Sequence, residues 1–282
     1  MDGELALAIA LTAHGSAFLA SPGDAPPLEL TGTNSTLQYV SAISFQASEA
    51  EVKAQSTADT LRRTERGRFE DLRSPYGTSA WFLQLRRAVA SGLRTVKLPI
   101  KLDLPEVYAA AFSGGIPWAI LVDYPKSSGL WIPRWKHEGG AKPWKVHVTG
   151  STITNPPQQA SIGLTPAAES LREVLKRALD FSTRAKLEWF PDDFSKALAL
   201  LDSQAPEIPY HPDLLPSGGY SLLARQVTAS ATKAYVFGGM GSFNDLGFKH
   251  RAFNTEYKAL LPSLYNTVVD ALLAAANSFG RD

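Results

Sequence analysis

The pattern of apolar and polar positions divides the chain into a mixed first part and a helical second part. Apolar segments with the alternation or continuity of strands begin at Leu37, Thr95 and Pro117. Two further strand-like segments, LWIPRW and WKVHVTGSTIT, follow before residue 154. The segment from Pro117 is continuously apolar, which is typical of a buried strand.

Helices are interspersed with these strands. The alanine-rich segment from Leu5 to Leu19 predicts one, and a second begins at Thr78 and is predicted to end with Gly92 as its left-handed cap. Pro99 follows the next strand. Because proline cannot donate to a hydrogen-bond ladder, we expect that strand at the edge of a sheet.

Helical spacing dominates after residue 160. Thr165-Pro166 predicts an N-cap followed by proline at the first helical position. Further helices are predicted over Asp192–Leu201, Tyr220–Val236 and Pro262–Phe279. The pattern predicts an α+β protein, with a mixed α+β domain over residues 1–160 and a helical domain over residues 161–282.

Composition excludes some classes of function. The 28 Lys+Arg residues nearly balance the 27 Asp+Glu residues, and this near-neutrality argues against a dedicated nucleic-acid binder. The chain has no cysteine, which excludes thiol nucleophiles and cysteine-ligated metals. Asp2 and Glu4 precede the first apolar segment, which is the wrong charge for a secretory signal. We expect a cytoplasmic protein that does not associate with membranes.

The most specific stretch is VFGGMGSFNDLGF, from Val236 to Phe248. Glycines here mark backbone that bends sharply, and short polar side chains can bond neighbouring amides. The candidate binding residues are Gly238, Gly239, Gly241, Ser242, Asn244 and Asp245.

This stretch resembles a signature of small, uncharacterised bacterial helical proteins, which read FGGMGS, one apolar or aromatic residue, and then ND. In those proteins the signature follows a helix with a tryptophan and a leucine-rich run, which Trp189 and the segment up to Leu201 resemble. The resemblance covers residues 185–280. It implies a domain but no activity, because that family has none established.

Two interpretations of the glycine stretch remain open. The glycines can end the preceding helix through a left-handed cap, with Ser242 or Asn244 bonding free amides. Alternatively, the backbone forms a nest for an anion or a partner's side chain, with Asn244 and Asp245 as polar contacts. Neither the phosphate-binding loop nor the dinucleotide-binding motif is present.

A second candidate segment, the tryptophan- and lysine-rich segment from Tyr124 to Val148, combines three tryptophans with positive charges. Aromatic faces beside cations bind single-stranded nucleic acid, although strands also bury tryptophan for packing reasons. The residues concerned are Trp131, Arg134, Trp135, Lys136, Trp144 and Lys145.

The sequence shows no recognised catalytic or metal-binding motif, so no cofactor is predicted. The leading hypothesis is a non-catalytic bacterial binding protein, an immunity or accessory factor that recognises another protein through the glycine stretch. The alternative is a nucleic-acid-binding module or an enzyme that uses the tryptophan- and lysine-rich segment.

Overall fold

The fold combines one β-sheet with a set of helices, which confirms the α+β prediction. A computed structural model describes residues 1–22, 30, 33–47, 77–98, 106–109, 116–153, 156 and 162–280. The sequence also predicts a short strand from Leu28, and it leaves the charged segment Glu49–Arg73 as either a solvated helix or a crossover. Of these two stretches, only Leu30 lies within the described residues.

Contacts divide the chain into two compact units. We call the first the helical unit; it comprises Met1–Ala6, Ile100–Ile116 and Ala160–Asp282. The second, the sheet unit, comprises Leu7–Pro99 and Pro117–Gln159. The helical unit therefore takes in two segments from the first 160 residues, besides the C-terminal part.

Five strands make up the sheet. They are Val40–Ala47 (β1), Gly92–Lys97 (β2), Trp118–Tyr124 (β3), Ser127–His137 (β4) and Trp144–Ile153 (β5). Their order is β1-β5-β4-β3-β2, with only β1 and β5 parallel. The strand β2 lies at an edge, as predicted.

One face of the sheet carries the core of this unit. Helix α1 (Gly3–Ala20) contributes Leu7, Leu11 and Phe18 to it, and helix α2 (Thr78–Arg87) contributes Trp81, Phe82 and Leu85. The Trp81 ring stacks on Phe45 with centroids 4.4 Å apart and meets Trp131 edge-on at 5.4 Å. Aromatic packing therefore joins α2 to β1 and β4.

The end of α2 differs from the prediction. Ala88 is the C-cap, and the left-handed position falls on Val89, with φ 59°. The amide of Ala90 bonds the carbonyl of Leu85 at 3.0 Å, as the Schellman arrangement requires. Gly92 instead begins β2, so the tertiary structure imposes on a β-branched residue a conformation that normally favours glycine.

The helical unit contains four long helices in its C-terminal part and one short helix. They are Glu106–Ala109 (α3), Leu164–Arg184 (α4), Phe190–Leu200 (α5), Leu222–Lys233 (α6) and Arg251–Ala276 (α7). Buried apolar side chains on one face of α4, among them Leu171, Val174 and Leu175, confirm the predicted amphipathic spacing.

Two helix starts were predicted wrongly. Helix α4 has Gly163 as its N-cap, so Thr165 and Pro166 lie within its first turn. Helix α7 begins at Arg251 and contains Pro262 in its interior. Its early start buries Tyr257, whose ring stacks on Phe181 with centroids 6.3 Å apart. This packing outweighs the tendency of proline to interrupt a helix.

Helices α1 and α7 are long and apolar enough to cross a membrane, although no such segment was predicted. Within their most apolar windows, however, 67% and 61% of the residues are buried inside the protein. Core helices of soluble proteins share these properties, so the two helices are weak evidence for membrane association.

Substitution of Gly150 tests how closely the sheet core is packed. It pairs directly with Trp131, and an added Cβ would lie 2.6 Å from the indole ring. Because the ring is fully buried, Gly150→Ala should lower the free energy of unfolding by about 1–3 kcal/mol through overpacking. Urea unfolding followed by tryptophan fluorescence measures this change.

Gly92→Ala is the matched control, since it also lies in a strand but its added Cβ would meet no atom within 4 Å. It should change the free energy of unfolding by less than about 0.5 kcal/mol. Equal losses in the two variants would show that Trp131 does not lie over Gly150.

Candidate functional site

The glycine stretch forms a loop between α6 and a short 3₁₀ helix, Phe243–Asp245. Helix α6 ends at Lys233 with Ala234 as its C-cap, so the glycines do not cap it as one interpretation expected. The buried Tyr235 and Phe237 lie between the helix and the first glycine. The backbone amide of Phe243 then bonds the carbonyl of Val236 at 2.8 Å and closes the loop.

Short polar side chains satisfy the backbone inside this loop. The amide of Gly238 donates to Asn244 Oδ1 at 3.0 Å, and the amide of Gly241 donates to Asp245 Oδ2 at 2.9 Å. The Ser242 hydroxyl also donates to Asn244 Oδ1, at 2.7 Å. The amides of Gly238 and Gly241, which an anion-binding nest would use as donors, thus already donate to side-chain oxygens of the same loop.

Two of the three glycines adopt a backbone conformation that other residues rarely take. Gly238 has φ 125° and Gly241 has φ 84°, whereas Gly239 has no such angle. Gly238 and Gly241 therefore allow the sharp bends of the backbone at these two positions. An added Cβ at any of the three would meet no atom within 4 Å, so no close approach requires them.

Phe243 attaches the loop to the helical unit. Its fully buried ring makes edge-on contacts with Phe190 at 5.1 Å and Phe194 at 5.5 Å on α5. It also contacts Tyr257 of α7 at 5.7 Å, and the hydroxyl of Tyr257 donates to the carbonyl of Phe243 at 2.7 Å. One aromatic side chain therefore holds the loop between two helices.

The top of the loop is exposed and apolar. Met240 is fully exposed, with a relative accessibility of 102%. Trp189, the N-cap of α5, is 68% exposed, and the next residue, Phe190, contacts Phe243 beneath the loop. The structure therefore brings a solvent-facing tryptophan onto the element that supports the loop.

A third exposed side chain, Tyr210, borders the C-terminal half of α5 and the last residue of α6. Tyr210 is 68% exposed and has φ 65°, within a three-residue turn closed by the His211 amide on the Pro209 carbonyl at 2.7 Å. Such a turn is strained for a residue other than glycine. Tyr210 lines a groove of about 600 Å³ together with Lys233.

An ion pair joins α5 to α6 beside this groove. Lys233 Nζ donates to Asp193 Oδ1 at 2.5 Å, with both side chains partly buried. Burial disfavours the ammonium, but the hydrogen bond to Asp193 and the nearby negative charges outweigh burial, and the pKa of Lys233 is raised. Lys233 therefore stays charged at neutral pH.

The tryptophan- and lysine-rich segment runs from the end of β3 through β4 into the first half of β5. Trp131 is fully buried in the sheet core, so it cannot stack on a nucleic-acid base. Trp135 and Trp144 are half-buried and pack against the same core. The strands thus place these tryptophans on the packed face of the sheet. This agrees with the interpretation that strands bury tryptophan for packing reasons.

The positive charges of this segment are partly neutralised within it. Glu138 binds Lys145 at 2.6 Å and Lys136 at 3.0 Å. Hydrogen bonds from Lys145 and then Lys136 lower the pKa of the exposed Glu138 carboxyl. Arg134 is exposed on β4, opposite His147 of β5.

No group of three or more metal-ligating side chains occurs within the residues that the structure describes. Met240 and Trp189 were visible in the sequence, as part of the signature and of its upstream helix, but exposure was needed to single them out. Nothing in the sequence indicated that Tyr210 is exposed in a strained turn, because its backbone angle depends on the fold.

Comparisons with known proteins leave the function open. No protein-family model matches the chain. No curated protein and no solved structure gives a significant match either. The resemblance to uncharacterised bacterial helical proteins therefore stays a prediction.

The backbone role of the loop glycines can be tested at a single position. Gly241→Ala forces a side chain into a left-handed conformation, which should lower the free energy of unfolding by about 1 kcal/mol. Urea unfolding of the full chain measures the change.

Gly239→Ala is the control, because this glycine is equally uncrowded and has no positive φ. It should leave stability within about 0.5 kcal/mol of the unsubstituted protein. A loss at Gly239 as large as that at Gly241 would contradict the backbone argument.

Proposed function

We propose that this chain is a non-catalytic bacterial binding protein that recognises another protein, in the manner of an immunity or accessory factor. The contact region would include the most exposed large apolar side chains of the helical unit, Trp189, Tyr210 and Met240, which we call the recognition surface. A cytoplasmic location stays part of this proposal.

The observation that carries the proposal is the full exposure of Met240 on a loop whose own polar groups are hydrogen-bonded internally. Methionine and tryptophan are enriched in protein interfaces, where their large apolar side chains leave water. A loop fixed by Phe243 would present Met240 with little conformational entropy left to lose on binding.

Trp189 and Tyr210 strengthen this argument. Tryptophan and tyrosine dominate the binding energy of many interfaces, and both side chains here are mostly solvent-exposed. The strained turn that presents Tyr210 borders a groove that Lys233 also lines, and Lys233 of α6 binds Asp193 of α5. Backbone strain of this kind clusters at functional sites.

The alternative, a nucleic-acid-binding module or an enzyme built on the tryptophan- and lysine-rich segment, has less support. Its stacking surface would lack Trp131, and Glu138 binds two of its lysines. If this alternative applied, affinity for a single-stranded oligonucleotide would fall steeply with added salt.

The proposal is tested by affinity capture from the native cell, followed by affinity measurements with the purified partner. The double variant Met240→Ser, Trp189→Ser should weaken binding by about 30-fold or more, which is the effect of losing one interface hot spot of about 2 kcal/mol. Isothermal titration calorimetry gives the dissociation constants.

Tyr39→Ser provides the matched control, because Tyr39 is 60% exposed but belongs to the sheet unit. It should leave the affinity unchanged. The proposal fails if no protein partner binds at micromolar concentration, or if the double variant binds as tightly as the unsubstituted chain.

A further inference from the structure

A cavity in the sheet unit lies between the first turn of α2 and the edge strand β1. It has a volume of about 450 Å³, within the range of small-molecule sites. Its apolar wall includes Leu30, Leu37, Val40 and Ile43. The cavity is separate from the recognition surface, which lies in the other unit.

The N-terminus of α2 borders this cavity with backbone amides that have no acceptor within the helix. The first intrahelical bond runs from the Trp81 amide to the Gly77 carbonyl at 3.0 Å, which leaves the amides of Thr78, Ser79 and Ala80 without an intrahelical acceptor. Gly77 is the N-cap and has no side chain to accept from them. The first turn of α2 also has no acidic residue of its own that would offset the positive end of the helix dipole.

Two hydroxyls at the same position are buried without a partner. Thr78 is only 5% exposed and lines the cavity, and its Oγ1 bonds no group among the described residues. Ser79 Oγ, on the next residue, is likewise buried and unpaired there. Buried hydroxyls in native structures are nearly always hydrogen-bonded, so this pair indicates a missing acceptor.

A cation completes the site. Lys142, in the turn between β4 and β5, lines the cavity and is exposed to solvent. The donors of α2 and the ammonium of Lys142 therefore border the same space. The rest of its wall is apolar except for Ser41, whose hydroxyl donates to the Trp144 carbonyl at 3.0 Å. Such a combination of a helix N-terminus and a lysine favours an oxyanion.

We propose that this cavity binds a small organic anion, in which a carboxylate or phosphate monoester is attached to an apolar chain. The oxyanion accepts hydrogen bonds from the amides and hydroxyls of Thr78 and Ser79 and pairs with Lys142. The apolar chain lies against Leu37, Val40 and Ile43. An inorganic anion alone would leave this apolar wall uncovered.

The test is isothermal titration calorimetry of the full chain at low ionic strength with four probes: octanoate, octyl phosphate, octanol and inorganic phosphate. At least one of the two octyl anions should bind with one-to-one stoichiometry. Octanol should bind at least about tenfold more weakly, because it lacks the charge that the amides and Lys142 recognise. Whichever octyl anion binds more tightly identifies the headgroup.

Two substitutions connect binding to this cavity. Thr78→Val removes the buried hydroxyl at nearly constant volume, and Lys142→Gln removes the exposed charge. Each substitution should lower the affinity for the more tightly bound octyl anion by about tenfold.

Lys126→Gln is the matched control, because Lys126 is an exposed lysine in the turn at the other end of β4. This substitution should leave the affinity unchanged. Because Lys142 is exposed, its variant keeps the test valid even if Thr78→Val fails to fold.

Four results would overturn the proposal. They are the absence of binding by either octyl anion at millimolar concentration, an equal affinity for octanol, an equal affinity for inorganic phosphate and octyl phosphate, and an equal loss in Lys126→Gln and Lys142→Gln.

Discussion

The burial of Phe243 is the interaction on which the glycine loop depends. Hydrogen bonds from the glycine amides to the side chains of Asn244 and Asp245 shape the loop, but Asp245 and Gly241 are exposed, so water competes for that part of the network. The ring of Phe243, in contrast, is fully enclosed by aromatic side chains of α4, α5 and α7. Burying such a side chain contributes about 1.5–3 kcal/mol, more than a typical single hydrogen bond. The loop is therefore held from below by packing and shaped above by its own polar groups.

Because the polar groups of the loop bond one another and Phe243 is buried, only some parts of the loop are available to contact a partner. The backbone donors of Gly238 and Gly241 are engaged, which leaves the exposed side chain of Met240 as the most prominent feature. Recognition would rest on apolar contact by a pre-formed surface, because little chain entropy is lost when a fixed loop binds. The cavity at the start of α2 has the opposite character, since its amides have no intrahelical acceptor and its hydroxyls bond no group among the described residues. The two units thus offer different chemistry: an exposed apolar surface in one, and in the other a cavity that combines polar donors with an apolar wall.

Much of the fold could be predicted from the sequence. The continuous apolar run gave the buried strand β3, and the helical spacing gave α4, because both signals depend on local periodicity. The start of α7 and the left-handed Val89 were missed, since contacts distant in sequence decide them. At the candidate sites, the glycines indicated a loop, but nothing local showed that Trp131 faces the core or that Tyr210 is held in a strained turn. The α2 cavity was not predictable, because Lys142 and Thr78 are distant in sequence and only the folded sheet brings them to the same cavity.

Amide hydrogen exchange by NMR tests the central claim most directly, because it reports whether each loop amide is bonded within the chain. If the loop is shaped by its own side chains, the amides of Gly238 and Gly241 exchange at least about tenfold more slowly than their intrinsic rates. The neighbouring amides of Gly239 and Met240, at the exposed top of the loop, then exchange close to their intrinsic rates. Equally fast exchange at all four positions would show that the loop has no fixed internal structure, and the account would be contradicted.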